Sequence, residues 1–84
     1  MNKNEQIEFE NCCNYITSKN KNCNFKNLEE IKIVLKNIID ERIIYLLNNG
    51  IHKDKLNNDM ELVDCENYYV MISRQIYYSK EYFI

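Results

Sequence analysis

The side chains that could take part in catalysis or metal binding include one histidine and a run of carboxylates. Neither forms a catalytic or metal-binding pattern. His52 stands beside Lys53 and Asp54 with no nucleophile at a diagnostic spacing, whereas acid–base catalysis needs a reacting group within hydrogen-bond reach. The carboxylates from Asp54 to Glu66 resemble calcium ligands, but the stretch lacks the glycine and the ligand order of an EF-hand loop. We therefore expect no enzymatic activity, no cofactor and no bound metal.

The four cysteines show neither a disulfide framework nor a zinc-like spacing. Cys12 and Cys13 are adjacent and do not easily bridge one another, and Cys23 and Cys65 each stand alone. The first residues are too acidic and polar for a signal peptide, and the longest apolar run, 43–47, is too short to span a bilayer. We therefore expect reduced, buried or half-buried thiols, a cytoplasmic location and no membrane partner.

Composition and charge indicate one small acidic domain. The chain has 84 residues and a net charge of -2, and Asn, Ile, Lys and Tyr make up half of it, a bias that fits an AT-rich genome. A chain of this length is expected to form one domain, residues 1–84, with a modest core. Because nucleic-acid binders usually carry a basic field that neutralises phosphates, we expect a protein partner rather than a nucleic acid.

The stretch from Asn27 to Gly50 has helix signals at both ends. The Asn27 side chain can accept a backbone hydrogen bond from the first turn, and Glu30 follows three residues later, as in a capping box. Gly50 can adopt the left-handed conformation that ends a helix and brings Ile51 back towards Leu46. Apolar residues between these ends recur on one broad arc, which predicts a core face.

Three residues of this helix do not fit a one-sided arrangement. Ile33 and Ile44 project opposite the core face, which predicts either cover by another part of the chain or a seam for a partner or a second copy. Arg42 projects into the apolar arc, where an unpaired charge is costly. It is expected either to pair with a carboxylate of this chain or reach water, or to bind an acidic or phosphate group of a partner.

The first element is predicted to be a helix over residues 4–18. Phe9, Cys12, Cys13 and Ile16 recur at helical spacing and define one face. The apolar and aromatic residues of this stretch also occur at alternate positions, so a β-strand is the alternative to the helix.

The pattern changes in the last third of the chain. β-branched and aromatic residues dominate there, and Tyr68, Val70 and Ile72 hold alternate positions. This pattern predicts a three-stranded antiparallel meander. The rival interpretation is a third helix, whose inward face would hold Tyr69, Ile72, Ile76 and Phe83.

The fold predicted from these elements is α+β, with one short and one long helix packed on a small C-terminal antiparallel sheet. The alternative is all-α, with three helices in short-long-short order. That order of elements resembles a histone-fold subunit.

Tyrosine is the most distinctive feature of the C-terminal third, since five of the seven tyrosines lie in residues 68–82. Tyrosine is enriched at the energetic centres of protein interfaces. We therefore expect a small acidic protein-binding module, encoded by a mobile element such as a virus or phage, that inhibits a larger nucleic-acid-processing host enzyme. The alternatives are a regulatory nucleic-acid-binding protein and an obligate subunit of a larger complex, and a homodimer is also considered. The residues expected to contact the partner are Ile33, Arg42, Ile44, Asp59, Glu61, Asp64, Glu66, Tyr68, Tyr69, Tyr77, Tyr78 and Tyr82.

Overall fold

Three α-helices account for most of the described chain. The structure is a computed structural model that describes residues 3–19, 21–22 and 27–82, with side chains for 3, 6–19, 21–22 and 27–77. Helix α1 spans Lys3–Ser18, α2 spans Leu28–Asn48 and α3 spans Met60–Tyr82, and a short 3₁₀ helix covers Lys53–Asn58. These ranges contain no strand, so the fold class is all-α.

The predicted α+β fold with a C-terminal sheet is wrong, because residues 60–82 form one helix. Its buried apolar side chains are Leu62, Cys65, Ile72 and Ile76, and this spacing is that of one helix face. β-propensity largely reflects how well a side chain fits a half-buried surface, and tertiary packing can override it. The bias of the whole chain towards Ile and Tyr gave this helix residues that elsewhere favour strands.

The all-α alternative gives the right class but the wrong relative lengths. Helix α1 has 16 residues, α2 has 21 and α3 has 23, so the third helix is the longest and the order is not short-long-short. The inward face expected for a third helix is present, since Ile72 and Ile76 are buried and Tyr69 is half-buried. Phe83 lies outside the described residues.

Both ends of α2 have the caps that the sequence predicts. The side chain of Asn27 accepts a hydrogen bond from the backbone N–H of Glu30 at 3.0 Å. At the other end Gly50 has a φ of 83°, and the N–H of Ile51 donates to the carbonyl of Leu46 at 3.0 Å. This is the long bond of a Schellman motif, which ends the helix and turns the chain towards the 3₁₀ helix.

Helices α2 and α3 run antiparallel. Arg42, in the second half of α2, bonds Asp59 at the start of α3, whereas Lys32, in the first half of α2, lies over the ring of Tyr69. A lower residue number on α2 therefore meets a higher residue number on α3. The two helices form a hairpin closed by the 3₁₀ segment.

Helix α1 is also antiparallel to α3. Near its end Tyr15 stacks on Tyr68 with the ring centroids 4.6 Å apart, and nearer its start Glu8 accepts a hydrogen bond from the side-chain amide of Gln75. Stacked aromatic pairs of this kind add to the free energy gained by burying their area. Helix α1 therefore packs along one side of the α2–α3 hairpin.

The helix predicted over residues 4–18 is confirmed by α1. Cys12 and Ile16 of the predicted face are fully buried, and Phe9 and Cys13 pack against the core. The core lies where the three helices meet, and its other buried members include Ile31, Leu35, Ile38, Ile39, Leu46, Leu62, Cys65, Ile72 and Ile76. Cys12 and Cys65 are buried and Cys13 is half-buried, as expected for small core thiols, while Cys23 lies outside the described residues.

Ile72 and Val70 distinguish the helix from the predicted strand, because a strand would place both on one face. In α3, Ile72 is fully buried whereas Val70 is 45% exposed. Ile72→Ala should lower the free energy of unfolding by about 2–5 kcal/mol, and Val70→Ala by about 0.5 kcal/mol or less. Urea unfolding followed by circular dichroism measures both. Equal losses in the two variants would contradict a helix here.

Candidate protein-binding surface

Arg42 and Asp59 form a bidentate ion pair between α2 and the start of α3. The Nε and Nη2 atoms of Arg42 donate to the two carboxylate oxygens at 2.9 and 2.8 Å. The Oδ2 atom of Asp59 also accepts from the backbone N–H of Leu62 at 2.9 Å, which caps α3. Of the two roles predicted for Arg42, the structure shows the internal pair with a carboxylate.

Glu61 extends this contact into a network that reaches the end of α1. It lies 3.1 Å from Nη1 of Arg42 and also accepts a hydrogen bond from Lys19. The hydrogen bond from Arg42 lowers the pKa of Asp59 to about 2, and the bond from Lys19 lowers the pKa of Glu61. Two of the four carboxylates expected to bind a partner are therefore engaged within the chain.

The other two predicted carboxylates, Asp64 and Glu66, differ in exposure. Asp64 is exposed and Glu66 is half-buried on the first half of α3. The two carboxylates lie on different sides of α3, because residues two apart on a helix point in directions about 160° apart. Asp64 shares a side with Tyr68, four residues on, and Glu66 with Tyr69, three residues on.

Of the predicted tyrosines, Tyr68 and Tyr69 have different neighbours although they are adjacent in sequence. Tyr68 stacks on Tyr15 of α1, and burial, together with the neighbouring Cys65 thiol, raises the pKa of Tyr15. The ring of Tyr69 instead lies 5.5 Å below Nζ of Lys32 of α2. The first tyrosine is therefore a packing residue between α1 and α3, and the second faces α2.

The remaining predicted tyrosines lie further along α3. Tyr77 is 60% exposed. Tyr78 and Tyr82 belong to the helix, but their side chains lie outside the described part of the structure.

A pocket of about 410 Å³ lies between the first half of α2 and the middle of α3. We call it the α2–α3 groove, and its lining consists of Glu29, Lys32, Ile33, Lys36, Asn37, Tyr69 and Ile76. Its apolar lining comes from Ile33, Tyr69 and Ile76, and its charged lining has two lysines and one glutamate. The groove can therefore hold an apolar side chain flanked by a negative charge.

Exposed apolar side chains adjoin the groove on both helices. Val70 and Tyr77, which are 45% and 60% exposed, each follow a groove residue on α3 by one position. Ile33 and Ile44, the second stripe predicted on α2, are 62% and 59% exposed, and Leu47 is 46% exposed. No described segment of this chain covers the second stripe, so of its two predicted explanations the seam is the one that stays open.

The groove was not predicted from the sequence. Its signal was a set of residues seven apart on α3, because Tyr69 and Ile76 line the groove while Val70 and Tyr77 lie next to it at the same spacing. That signal has meaning only once this segment is known to be helical.

Metal binding, membrane insertion and likeness to known proteins assign no further role to this surface. Within the described residues, no group of three or more His, Cys, Asp or Glu side chains could hold a metal ion. Over the same ranges, no helix combines the length and the apolar character needed to cross a membrane. The chain matches no known protein family, no curated protein and no solved structure.

Acid should weaken the fold through Asp59 and Glu61. Their pKa values are lower in the folded chain than in the unfolded one, so the stability they add is complete above about pH 4–5 and is lost as the pH falls through the folded values. Urea midpoints measured between about pH 5 and pH 2 should therefore fall, and they should fall less in Asp59→Asn.

Asp54→Asn is the matched control, because the Asp54 side chain is 82% exposed. This variant should keep the wild-type dependence of the urea midpoint on pH. An Asp59→Asn variant with an unaltered pH dependence would show that the ion pair does not hold α3 to α2.

Proposed function

We propose that this chain is a small protein-binding module that acts by covering a surface of a larger protein, and that the α2–α3 groove is the centre of its contact surface. One observation carries the proposal. The groove is bordered by large apolar side chains that the chain leaves in water, since Ile33, Val70 and Tyr77 are 62%, 45% and 60% exposed. Contiguous apolar side chains on a protein surface mark contact sites, and tyrosine is favoured at their energetic centres.

The occupant that best fits the groove is an amphipathic helix of the larger protein. Two antiparallel helices leave a channel that accepts a third helix through apolar anchors on one of its faces. Lys32 and Lys36 outnumber Glu29 in the lining, which favours acidic residues on the flank of the incoming helix. Lys36 now bonds Asp40 at 2.7 Å, and because both side chains are exposed, a partner's carboxylate can replace this bond at little cost.

More narrowly, we propose that the module inhibits a nucleic-acid-processing enzyme of the host, and that the module itself is encoded by a virus or phage, as expected from the sequence. Asp64 and Glu66 supply the negative charge that such an enzyme's basic groove would attract. Asp59 and Glu61 contribute less, because Arg42 and Lys19 already neutralise them. We place the action of the module in the cytoplasm, where thiols are kept reduced.

A photo-crosslinking amino acid in place of Tyr77 tests the contact surface directly, because it reacts only with a chain that touches this position. In the native host it should join this chain to one larger protein, with the adduct on a helix of that protein located by mass spectrometry. The matched control carries the same group in place of Asn14, which is exposed on α1. Equal capture of the same protein from both positions, or none from Tyr77, would contradict the proposal.

Affinity measurements with the purified partner then test individual groove residues. Tyr69→Ala and Tyr77→Ala should each weaken binding about tenfold or more, because truncating a central interface tyrosine costs more than about 1.4 kcal/mol. Asn14→Ala should bind like the wild type. Unchanged affinity in both tyrosine variants would rule out the groove as the contact site.

A further inference from the structure

We propose that a second copy of this chain packs antiparallel on the outer side of α2, so that the protein is a dimer with two-fold symmetry. The contact uses the outer α2 stripe, which we define as Ile33, Asn37, Asp40, Ile44 and Leu47. These residues are alternately four and three positions apart, which is the spacing of a seam between two paired helices. All five are exposed.

The surface area of the chain favours an additional contact. The single chain exposes 6320 Å², whereas a compact monomer of 10.2 kDa exposes about 5,300 Å². Its extents of 45 × 26 × 17 Å describe a long, flat body. The elongated shape therefore leaves about 1,000 Å² more surface exposed than a compact chain of this mass would expose, and a standard interface takes roughly 800 Å² from each partner.

The residue types along the stripe fit a copy of the stripe itself. With the two-fold axis at the level of Ile38 and Ile39, Ile33 lies opposite Ile44 of the second copy, and symmetry repeats this apolar contact at the other end. Between the two apolar contacts, Asn37 lies opposite Asp40 of the second copy, and an amide can donate to a carboxylate there.

Charge selects the antiparallel direction. Lys36 lies beside the seam and comes within reach of Asp40 of the second copy in the antiparallel pair, again twice by symmetry. In this pairing Glu29 and Glu30 lie near Leu47 and Asn48, and the two copies of Asp40 are offset by about 4.5 Å along the helix axis rather than level with each other. A parallel pair would instead place the two copies of Asp40 opposite each other, and like charges at an interface are costly.

The dimer contact does not depend on the proposed function. The α3 wall of the groove, with Tyr69, Val70, Ile76 and Tyr77, takes no part in the outer α2 stripe. On α2 the two surfaces overlap, since Ile33 and Asn37 belong to both and Lys36 lines the groove beside the stripe, whereas Ile44 and Leu47 belong to the stripe alone. The diagnostic variant for dimerisation is therefore Ile44→Asp.

Sedimentation equilibrium of the full chain over a wide concentration range tests the dimer. The wild type should reach twice the mass of 10.2 kDa, and Ile44→Asp should raise the dissociation constant about a hundredfold or more, because symmetry buries the new charge twice. The matched control is Ile7→Asp, since Ile7 is an apolar residue 47% exposed on α1, and it should dimerise like the wild type. A wild type that stays monomeric at high concentration, or one that dimerises equally well with Ile44→Asp, would overturn the proposal.

Disulfide trapping tests the direction of the pair, with the wild-type chain as the control for its native cysteines. An Ile33→Cys chain mixed with an Ile44→Cys chain should form a covalent heterodimer on mild oxidation, because the two positions face each other and a disulfide needs closely spaced Cα atoms. Ile33→Cys alone should remain at the wild-type background. Efficient trapping of Ile33→Cys with itself would show a parallel pair and overturn the antiparallel assignment.

Tyr77→Ala separates the two proposals. It should leave the dimer intact and weaken binding of the larger protein, whereas Ile44→Asp should dissociate the dimer. Loss of the dimer in Tyr77→Ala would place the self-contact on α3 and contradict the α2 pairing.

Discussion

The ion pair between Arg42 and Asp59 is the constraint on which the arrangement of α2 and α3 depends. One carboxylate accepts two hydrogen bonds from Arg42 and a third from the backbone of Leu62, so the same two oxygens hold one helix and begin the next. A sliding of α3 along α2 would separate a partly buried guanidinium from its counter-charge, which is costly. The register of the hairpin, and with it the position of the groove, follows from this contact.

The features that could be predicted from the sequence were those whose signals lie within a few residues of one another. Asn27 and Gly50 mark the two ends of α2 through hydrogen bonds and backbone conformation within a few residues, and the helical spacing of Cys12 and Ile16 identified the buried face of α1. The position of Ile33 and Ile44 opposite the core face could also be anticipated, because the core face of α2 alone determines which residues lie opposite it. Their exposure could not be, because it depends on where the other segments pack.

The sequence was insufficient where the answer depended on contacts between distant segments. Tyr68, Val70 and Ile72 alternate as a strand would, whereas Tyr69, Ile72 and Ile76 recur at helical spacing. The choice between the two patterns required Asp59 to be recognised as the cap of α3. Asp59 is one of many polar residues after Gly50, and it is distinguished only by Arg42, which lies in a different helix. The groove was even harder to predict from the sequence, because its lining depends on the rotation of α3 about its own axis. A rotation by one residue would bring Tyr68 to the place of Tyr69, which meets α2, and Asn67 to the place of Tyr68, which meets α1.

The buried thiol of Cys65 gives the α2–α3 hairpin an internal reporter of its own opening. The side chain donates to the carbonyl of Leu35 at 3.6 Å and the residue is only 1% exposed, while burial raises the pKa of the thiol. A buried, protonated thiol is a poor nucleophile, so alkylation of Cys65 must wait until α3 separates from the helices that cover this residue. The rate of alkylation at Cys65 therefore measures how often this part of the structure opens. No probe has to be built into the chain for this measurement, because the cysteine is native.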